Sequence, residues 1–252
     1  MKKASKSVRI DKKKFIESEA PMTPEILYKD PNIIVIYKPP LLPSQGDLSG
    51  QADAIVKTAE LLRMSNEREE LYLVNRLDRV VGGLMVFARN KKYAKMLSDI
   101  LSEDSFSKRY LAVADGDIED GEMIDWLAKD SVTNKAIVKN SAEGAKEAIL
   151  MCKRLETVEY KGKVKSLYKV KLKTGRFHQI RAQFSHRGAP LTGDKKYGSK
   201  DFYTRNPSLF AYRLTIDIEG RKIDVTRLPD IEKYPWNLFD AENYTFKMEC
   251  NK

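Results

Sequence analysis

Leu71–Phe87 reads LYLVNRLDRVVGGLMVF. Two apolar runs, LYLV at Leu71–Val74 and LMVFA at Leu84–Ala88, enclose the polar stretch Asn75-Arg76-Leu77-Asp78-Arg79 and the pair Gly82-Gly83. Short apolar runs without polar alternation, bounded by turn residues, fit strands that are covered on both faces. A carboxylate between two arginines therefore sits at the mouth of two buried strands. One reading is a solvated loop with a weak surface ion pair. The other is an aspartate kept ionised by nearby cations, available as nucleophile or base. In that case Gly82-Gly83 would permit a close backbone approach.

Outward from this segment, strands follow strands more often than they alternate with helices. ILYKDPNIIVIYKPP predicts two short strands around an Asp-Pro-Asn turn, ended by Pro39-Pro40. Gln51–Met64 has helical spacing, and Asn90 can cap a helix over Lys91–Leu101. RYLAVADGD predicts a strand running into an Asp-Gly turn, and further strands are expected around Ala145–Leu155 and Val164–Leu172. A short helix near His178–Ser185 can end at Gly188, and LTIDIEGRKIDV predicts a hairpin over Glu219-Gly220. The fold class is therefore α+β, with a mixed, largely antiparallel sheet flanked by helices.

Composition narrows the function. The 252 residues are 42% hydrophobic and carry a net charge of +10, enough apolar material to exclude global disorder. No apolar stretch approaches the roughly 20 residues of a membrane span, so no membrane partner is expected. Cys152 and Cys250 lie far apart without metal-ligand spacing, which predicts neither disulfide nor metal and a cytoplasmic setting. No Gly-rich phosphate loop appears, so no nucleotide cofactor is expected. Residues 1–24 read as a basic, flexible tail, holding Lys2, Lys3, Lys6, Arg9, Lys12, Lys13 and Lys14 against Asp11 alone. Residues 25–252 read as one domain with no separate domain in front, and a monomer is the default.

A second basic region is Lys161–Arg187, which lacks any acidic residue, holds both histidines, and interleaves Tyr168, Phe177 and Phe184 with its cations. An acidic partner, most simply nucleic acid, is favoured. Within it, Arg176, His178, Gln179 and Arg181 gather around a helix start, where anions bind and arginine can pair bidentately. Taken alone, His178 reads as a hydrogen-bonded structural histidine. Tyr110, on the strand within FSKRYLAVADG, reads as core or interface packing.

The order and wording of these segments together resemble the RluA-type pseudouridine synthases. That family's His-Arg-Leu-Asp-Arg-x-Thr-Ser-Gly-Leu stands here as NRLDRVVGGL. Its Gly-Arg-x-His-Gln-Ile-Arg, followed by Gly-x-Pro-x-x-Gly-Asp-x-x-Tyr-Gly, stands as GRFHQIR and GAPLTGDKKYG. ILYKDPNIIVIYKPPLLPSQ and KRYLAVADG also match, so the likeness runs from about Glu25 to about Val225.

The resemblance implies an isomerase that converts a uridine of ribosomal or transfer RNA to pseudouridine in a central RNA-binding cleft, without metal or cofactor. It implies that Asp78 is the catalytic aspartate and Arg176 its ion-pair partner, with Tyr110 as the active-site tyrosine that contacts the uracil ring and can take the C5 proton. Arg76 would fill the space left by the flipped base, and Arg79, His178, Gln179 and Arg181 would contact substrate. The sequence departs from the family at Asn75, which replaces histidine, and at Val81 and Gly82, which remove two hydroxyls from the loop after Asp78. The alternative reading is a catalytically silent RNA-binding or RNA-chaperone module on the same fold. A nucleoside or glycoside hydrolase ranks lower, because glycosidases use two carboxylates across the bond.

Overall fold

The computed structural model describes residues 23–46 and 52–240. The basic tail and Cys250 lie outside the described residues. The strands are β1 (Glu25–Lys29), β2 (Ile33–Lys38), β3 (Tyr72–Leu73), β4 (Gly82–Ala88), β5 (Phe106–Asp115), β6 (Gly121–Asp130), β7 (Lys135–Lys139), β8 (Lys146–Tyr160), β9 (Lys163–Leu172), β10 (Leu209–Ile218) and β11 (Arg221–Thr226). The helices are α1 (Ala54–Met64), α2 (Lys91–Asp99) and α3 (Gln179–His186), with single 3-10 turns at Lys195–Tyr197 and Trp236–Leu238.

All the strands form one sheet in the order β1-β2-β4-β10-β5-β9-β8-β6-β7, with β3 also on β4 and β11 on β10. Every pairing is antiparallel except β4 with β10. The α+β class with a largely antiparallel, mixed sheet is therefore what forms.

β2 and β4 show why. Side chains alternate faces along a strand, and here both faces are covered. Ile34, Ile36, Met85 and Phe87 join a core with α1 and α3 through Leu62, Ile180 and Phe184. Ile33, Val35, Leu84 and Val86 join another with α2 through Tyr93 and Leu97. Each such side chain, taken fully out of water, contributes roughly 1.5–3 kcal/mol. A third cluster, around Leu111, Val113, Leu167, Phe210 and Phe239, lies against the next part of the sheet.

The starts of α1 and α2 follow the capping rules. Asp53 Oδ1 accepts the Val56 amide at 2.8 Å and Asn90 Oδ1 accepts the Tyr93 amide at 3.0 Å. α1 thus begins at Ala54, after its Asp53 cap, rather than at Gln51. The hairpin β6–β7 is a structural addition to the sequence reading. Of the ten β6 residues only Met123 and Leu127 are buried, so its apolar alternation is too sparse to announce a strand.

Gly83 joins the two halves of the sheet. Its φ is +131°, and a Cβ there would stand 2.4, 2.5 and 2.7 Å from the Ala211 O, N and Cα atoms. Only glycine lets β10 lie alongside β4 at this point, where Ala211 pairs Gly83. No helix among the described residues is long and apolar enough to cross a membrane.

Candidate active site

Asp78 lies in the loop between β3 and β4, and that loop is fixed by polar contacts on both sides. Ser44 Oγ accepts the Leu77 amide at 3.0 Å and donates to the Leu77 carbonyl at 2.6 Å. Asn75 Oδ1 accepts the Val86 amide at 2.8 Å and so extends the ladder where β3 stops. The Asn75 contact is architectural, which fits a residue that shapes the loop.

On the other side, the Arg79 carbonyl accepts the Leu41 amide at 2.7 Å and Lys38 Nζ at 3.3 Å. Lys38 Nζ also donates to the carbonyls of Pro39 and Leu42, at 3.0 and 2.8 Å. Lys38 is fully buried. Burial pulls its pKa down to about 7, against the opposing pull of Asp78. Three carbonyls around one ammonium replace water there.

α3 brings the cations. Arg181 Nη1 donates to Asp78 Oδ2 at 3.0 Å, while its Nε and Nη2 donate to Asp194 Oδ2 and Oδ1 at 2.7 and 2.9 Å. One guanidinium thus joins two carboxylates, bidentately to Asp194 and singly to Asp78. The side chains of Arg181 and Asp194 are 5% and 1% exposed, whereas that of Asp78 is 22% exposed. Asp194 is therefore the buried anchor and Asp78 the carboxylate that still faces solvent. Burial disfavours the charge on Arg181, but Asp194 and Asp78 outweigh it and hold its pKa above the ordinary guanidinium value.

His178 stands beside the pair, its Nε2 3.7 Å from Asp78 Oδ2. Burial, then the charges of Arg181 and Lys196, lowers its pKa to about 3, so the ring is neutral. Its Nδ1 lies 2.9 Å from the Tyr197 hydroxyl, which accepts the Ala136 amide at 2.7 Å. A hydroxyl that accepts from Ala136 has its proton free for Nδ1, which leaves the imidazole hydrogen on Nε2, toward Asp78. His178 has φ +50°, and its ring stacks on Phe177 at 3.8 Å. A non-glycine residue in the left-handed region persists only where its surroundings hold it; here Tyr197 and Phe177 do so.

Gln179 Oε1 accepts from Thr174 Oγ1 and from the Arg176 amide, both at 2.9 Å, while its buried Nε2 has no partner among the described residues. Tyr110, on β5, is 5% exposed, and burial followed by the charge of Asp78 raises its pKa. Its hydroxyl therefore keeps its proton through the neutral range. Beside α3, between β7 and the turn at Lys195–Tyr197, lies an open depression of about 430 Å³, lined in part by Lys135, His186, Lys195 and Lys196.

The structure brings Asp78, His178 and Arg181 together, with Tyr110 close enough to feel the charge of Asp78. One sequence expectation is corrected. Arg176 does not pair with Asp78: its Nε donates to the Glu147 carbonyl at 2.7 Å, and the guanidinium on Asp78 belongs to Arg181. Arg176 lies in the turn before α3, whereas Arg181 lies inside the helix on the face turned to Asp78. Arg76 is exposed and makes no hydrogen bond or ion pair among the described residues, while Arg79 Nε donates to the Leu41 carbonyl at 3.1 Å. Asp194 and Tyr197 are the functional neighbours that sequence reasoning left without a role. Their signal was present in GDKKYG, the tail of the quoted motif.

The family described as RNA pseudouridylate synthase matches residues 32–186. The chain is similar to tRNA pseudouridine synthase C of Haemophilus ducreyi, 29% identical over 181 residues, covering 69% of this chain and 74% of that protein. It is 27% identical over 203 residues to ribosomal large subunit pseudouridine synthase D of Borreliella burgdorferi, covering 77% of this chain and 61% of that protein. Among solved structures, human RNA pseudouridylate synthase domain containing 1 superposes with a TM-score of 0.72 at 20% identity, covering 93% of this chain and 98% of that one.

Proposed function

The chain belongs to the RNA pseudouridylate synthase family, RNA-modifying isomerases, and from that premise we propose that it converts a specific uridine of ribosomal or transfer RNA to pseudouridine with Asp78 as the catalytic residue. The observation that carries this reading is the Asp78–Arg181–Asp194 arrangement, in which one carboxylate is buried as an anchor and the other is left open to solvent. A carboxylate held by a guanidinium on one oxygen keeps its other oxygen for chemistry.

The reaction breaks N1–C1′ of the uridine, turns the base, and joins C5 to C1′; the C5 proton leaves as N1 regains one. The target base must first leave its stack, at a cost of a few kcal/mol. Arg76, exposed and without a hydrogen-bond or ion-pair partner among the described residues, can stack and hydrogen-bond in the vacated space. Asp78 then attacks C1′, attacks uracil C6, or removes a ribose proton, and each route uses the carboxylate that Arg181 holds in place at 3.0 Å. Tyr110 walls the pocket and keeps the detached uracil from escaping. The final removal of the C5 proton asks for a weak base, which is either this tyrosine or a water molecule. His178, neutral, packs beside Asp78 with its Nε2 3.7 Å from Oδ2, and Arg79 and Arg176 line the approach of the RNA, with Gln179 buried behind them and accepting the Arg176 amide.

The test is release of tritium from RNA labelled at uracil C5. Wild-type protein releases it, and Asp78→Asn abolishes release while still binding RNA. Normal turnover by Asp78→Asn, or wild-type protein that binds RNA and leaves every uridine unchanged, overturns the reading.

A further inference from the structure

We propose that the face of the sheet turned away from Asp78 is a second RNA-contact surface, a strip of unneutralised cations centred on Arg109, Lys153 and Lys169 that binds phosphates of the same substrate. The proposal rests on the RNA substrate inferred above.

Along β5 and β9, Tyr110, Ala112, Tyr168 and Val170 point into the core that also holds Leu77 and Val81, the neighbours of Asp78. Arg109 and Lys169 point the other way, with Leu111, Val113 and Leu167. On that opposite face the register stacks like charges. Arg109 lies directly across from Lys171 on β9 and from Arg213 on β10, and Lys169 lies directly across from Lys153 on β8. Like charges directly opposite in an antiparallel pair are destabilising, and three such pairs occur side by side.

Part of this charge is answered from outside the strip: Lys171 reaches Asp104 at 2.8 Å and Arg213 reaches Asp224 at 2.5 Å. Arg109, Lys153 and Lys169 have no hydrogen bond or ion pair among the described residues. Glu156, further along β8, accepts the Asp240 amide at 3.2 Å instead. Lys169 reports the result: burial first, then Arg109, Arg213 and Lys153, lowers its pKa to about 8, with no carboxylate opposing.

A face that is only solvated gains nothing from setting like charges directly opposite one another. A polyanion resolves it, and the chain's own substrate class is one. The strip also leads to the site. Lys169, Lys171 and Lys173 occupy alternate positions of β9 and the residue beyond it, about 6.8 Å apart, the last two ion-paired with Asp104 and Glu122 at 2.8 and 2.7 Å, and Arg176 follows in the turn that opens α3. A strand of RNA whose uridine sits at Asp78 can therefore pass over this end of β9 and lie along the opposite face.

The test compares wild type with the double variant Lys153→Gln/Lys169→Gln, neither residue being part of the catalytic site. Affinity is measured by fluorescence anisotropy against salt for large-subunit ribosomal RNA and unfractionated transfer RNA, and for a short uridine-bearing stem-loop that cannot leave the cleft. The double variant should melt at a higher temperature without RNA, because repulsion is relieved. For the long RNAs it should bind on the order of tenfold or more weakly, with the salt slope reduced by about 1.4–1.8 for two lost phosphate contacts. Affinity for the stem-loop should be unchanged. Unchanged affinity and slope for both long RNAs overturn the proposal, whatever the melting temperature does. An equal loss on stem-loop and long RNA also overturns it, by placing both lysines at the cleft. Absence of isomerisation by wild-type protein would instead refute the proposed function, and the anisotropy series would still decide the surface.

Discussion

Replacing Arg181 by glutamine separates the structural from the catalytic part of its role. Both Asp194 oxygens are used by Arg181, and the Asp194 side chain is 1% exposed. Removing the guanidinium leaves a buried carboxylate uncompensated, which costs about 3–5 kcal/mol. For a chain of this size 1 kcal/mol moves the melting temperature by about 2–4 °C, so Arg181→Gln should melt roughly 6–20 °C lower. Adding Asp194→Asn removes the stranded charge, and the double variant should recover to within about 1–2 kcal/mol of wild type, as when both members of a buried pair become neutral. Turnover should not recover with it, because Asp78 still lacks the donor at 3.0 Å. Arg176→Gln is the control: losing one exposed hydrogen bond to the Glu147 carbonyl costs about 0.5–1.5 kcal/mol, and turnover should fall only a few-fold. Thermal unfolding and tritium release measure the two quantities on the same three preparations. Turnover that returns in the Arg181→Gln/Asp194→Asn protein would refute the claim that Asp78 works through this guanidinium. A single Arg181→Gln variant with wild-type stability would refute the burial argument.

Gly83→Ala should destabilise by at least about 2–3 kcal/mol, from a left-handed φ and a clash with the Ala211 backbone. Gly121→Ala, where φ is +136° but nothing lies within 4 Å of the added carbon, should cost less in the same melts. His178 binds a proton at about 3 when folded and near 6.5 when unfolded, so the unfolded chain takes up a proton that the folded one refuses. Its contribution is present above pH 6.5 and is lost as pH falls toward 3; His178→Gln should flatten melting temperature against pH in that window, and an unchanged slope would contradict the neutral assignment. Arg76→Ala should leave melting unchanged and lower kcat/KM more on paired than on unpaired uridine, because only the paired base leaves a stack to be filled; equal losses on both would contradict that role.

The fold class was legible because β2 and β4 are uninterrupted apolar runs, and such runs are stable only with cover on both faces. The capped helices were legible for a similar reason: the Asn90 side chain satisfies its helix within three residues. The hairpin β6–β7 was not legible, because its stability comes from pairing with β8 rather than from its own apolar period. At the site, the sequence supplied the residue types and their order around Asp78, Tyr110 and the start of α3.

It could not choose between Arg176 and Arg181, both of which carry the right charge within one motif. That choice depends on which guanidinium the helix turns toward the loop, and on Asp194 arriving from beyond the helix to hold it there. Nor could the sequence separate the lysines of β9 from those of the cleft, since consecutive basic residues diverge to opposite faces only once the strand is paired. Local pattern determined which elements form and which charges are available. The pairing of distant segments decided which charges meet, because Coulomb attraction and burial act on distances that chain order does not contain.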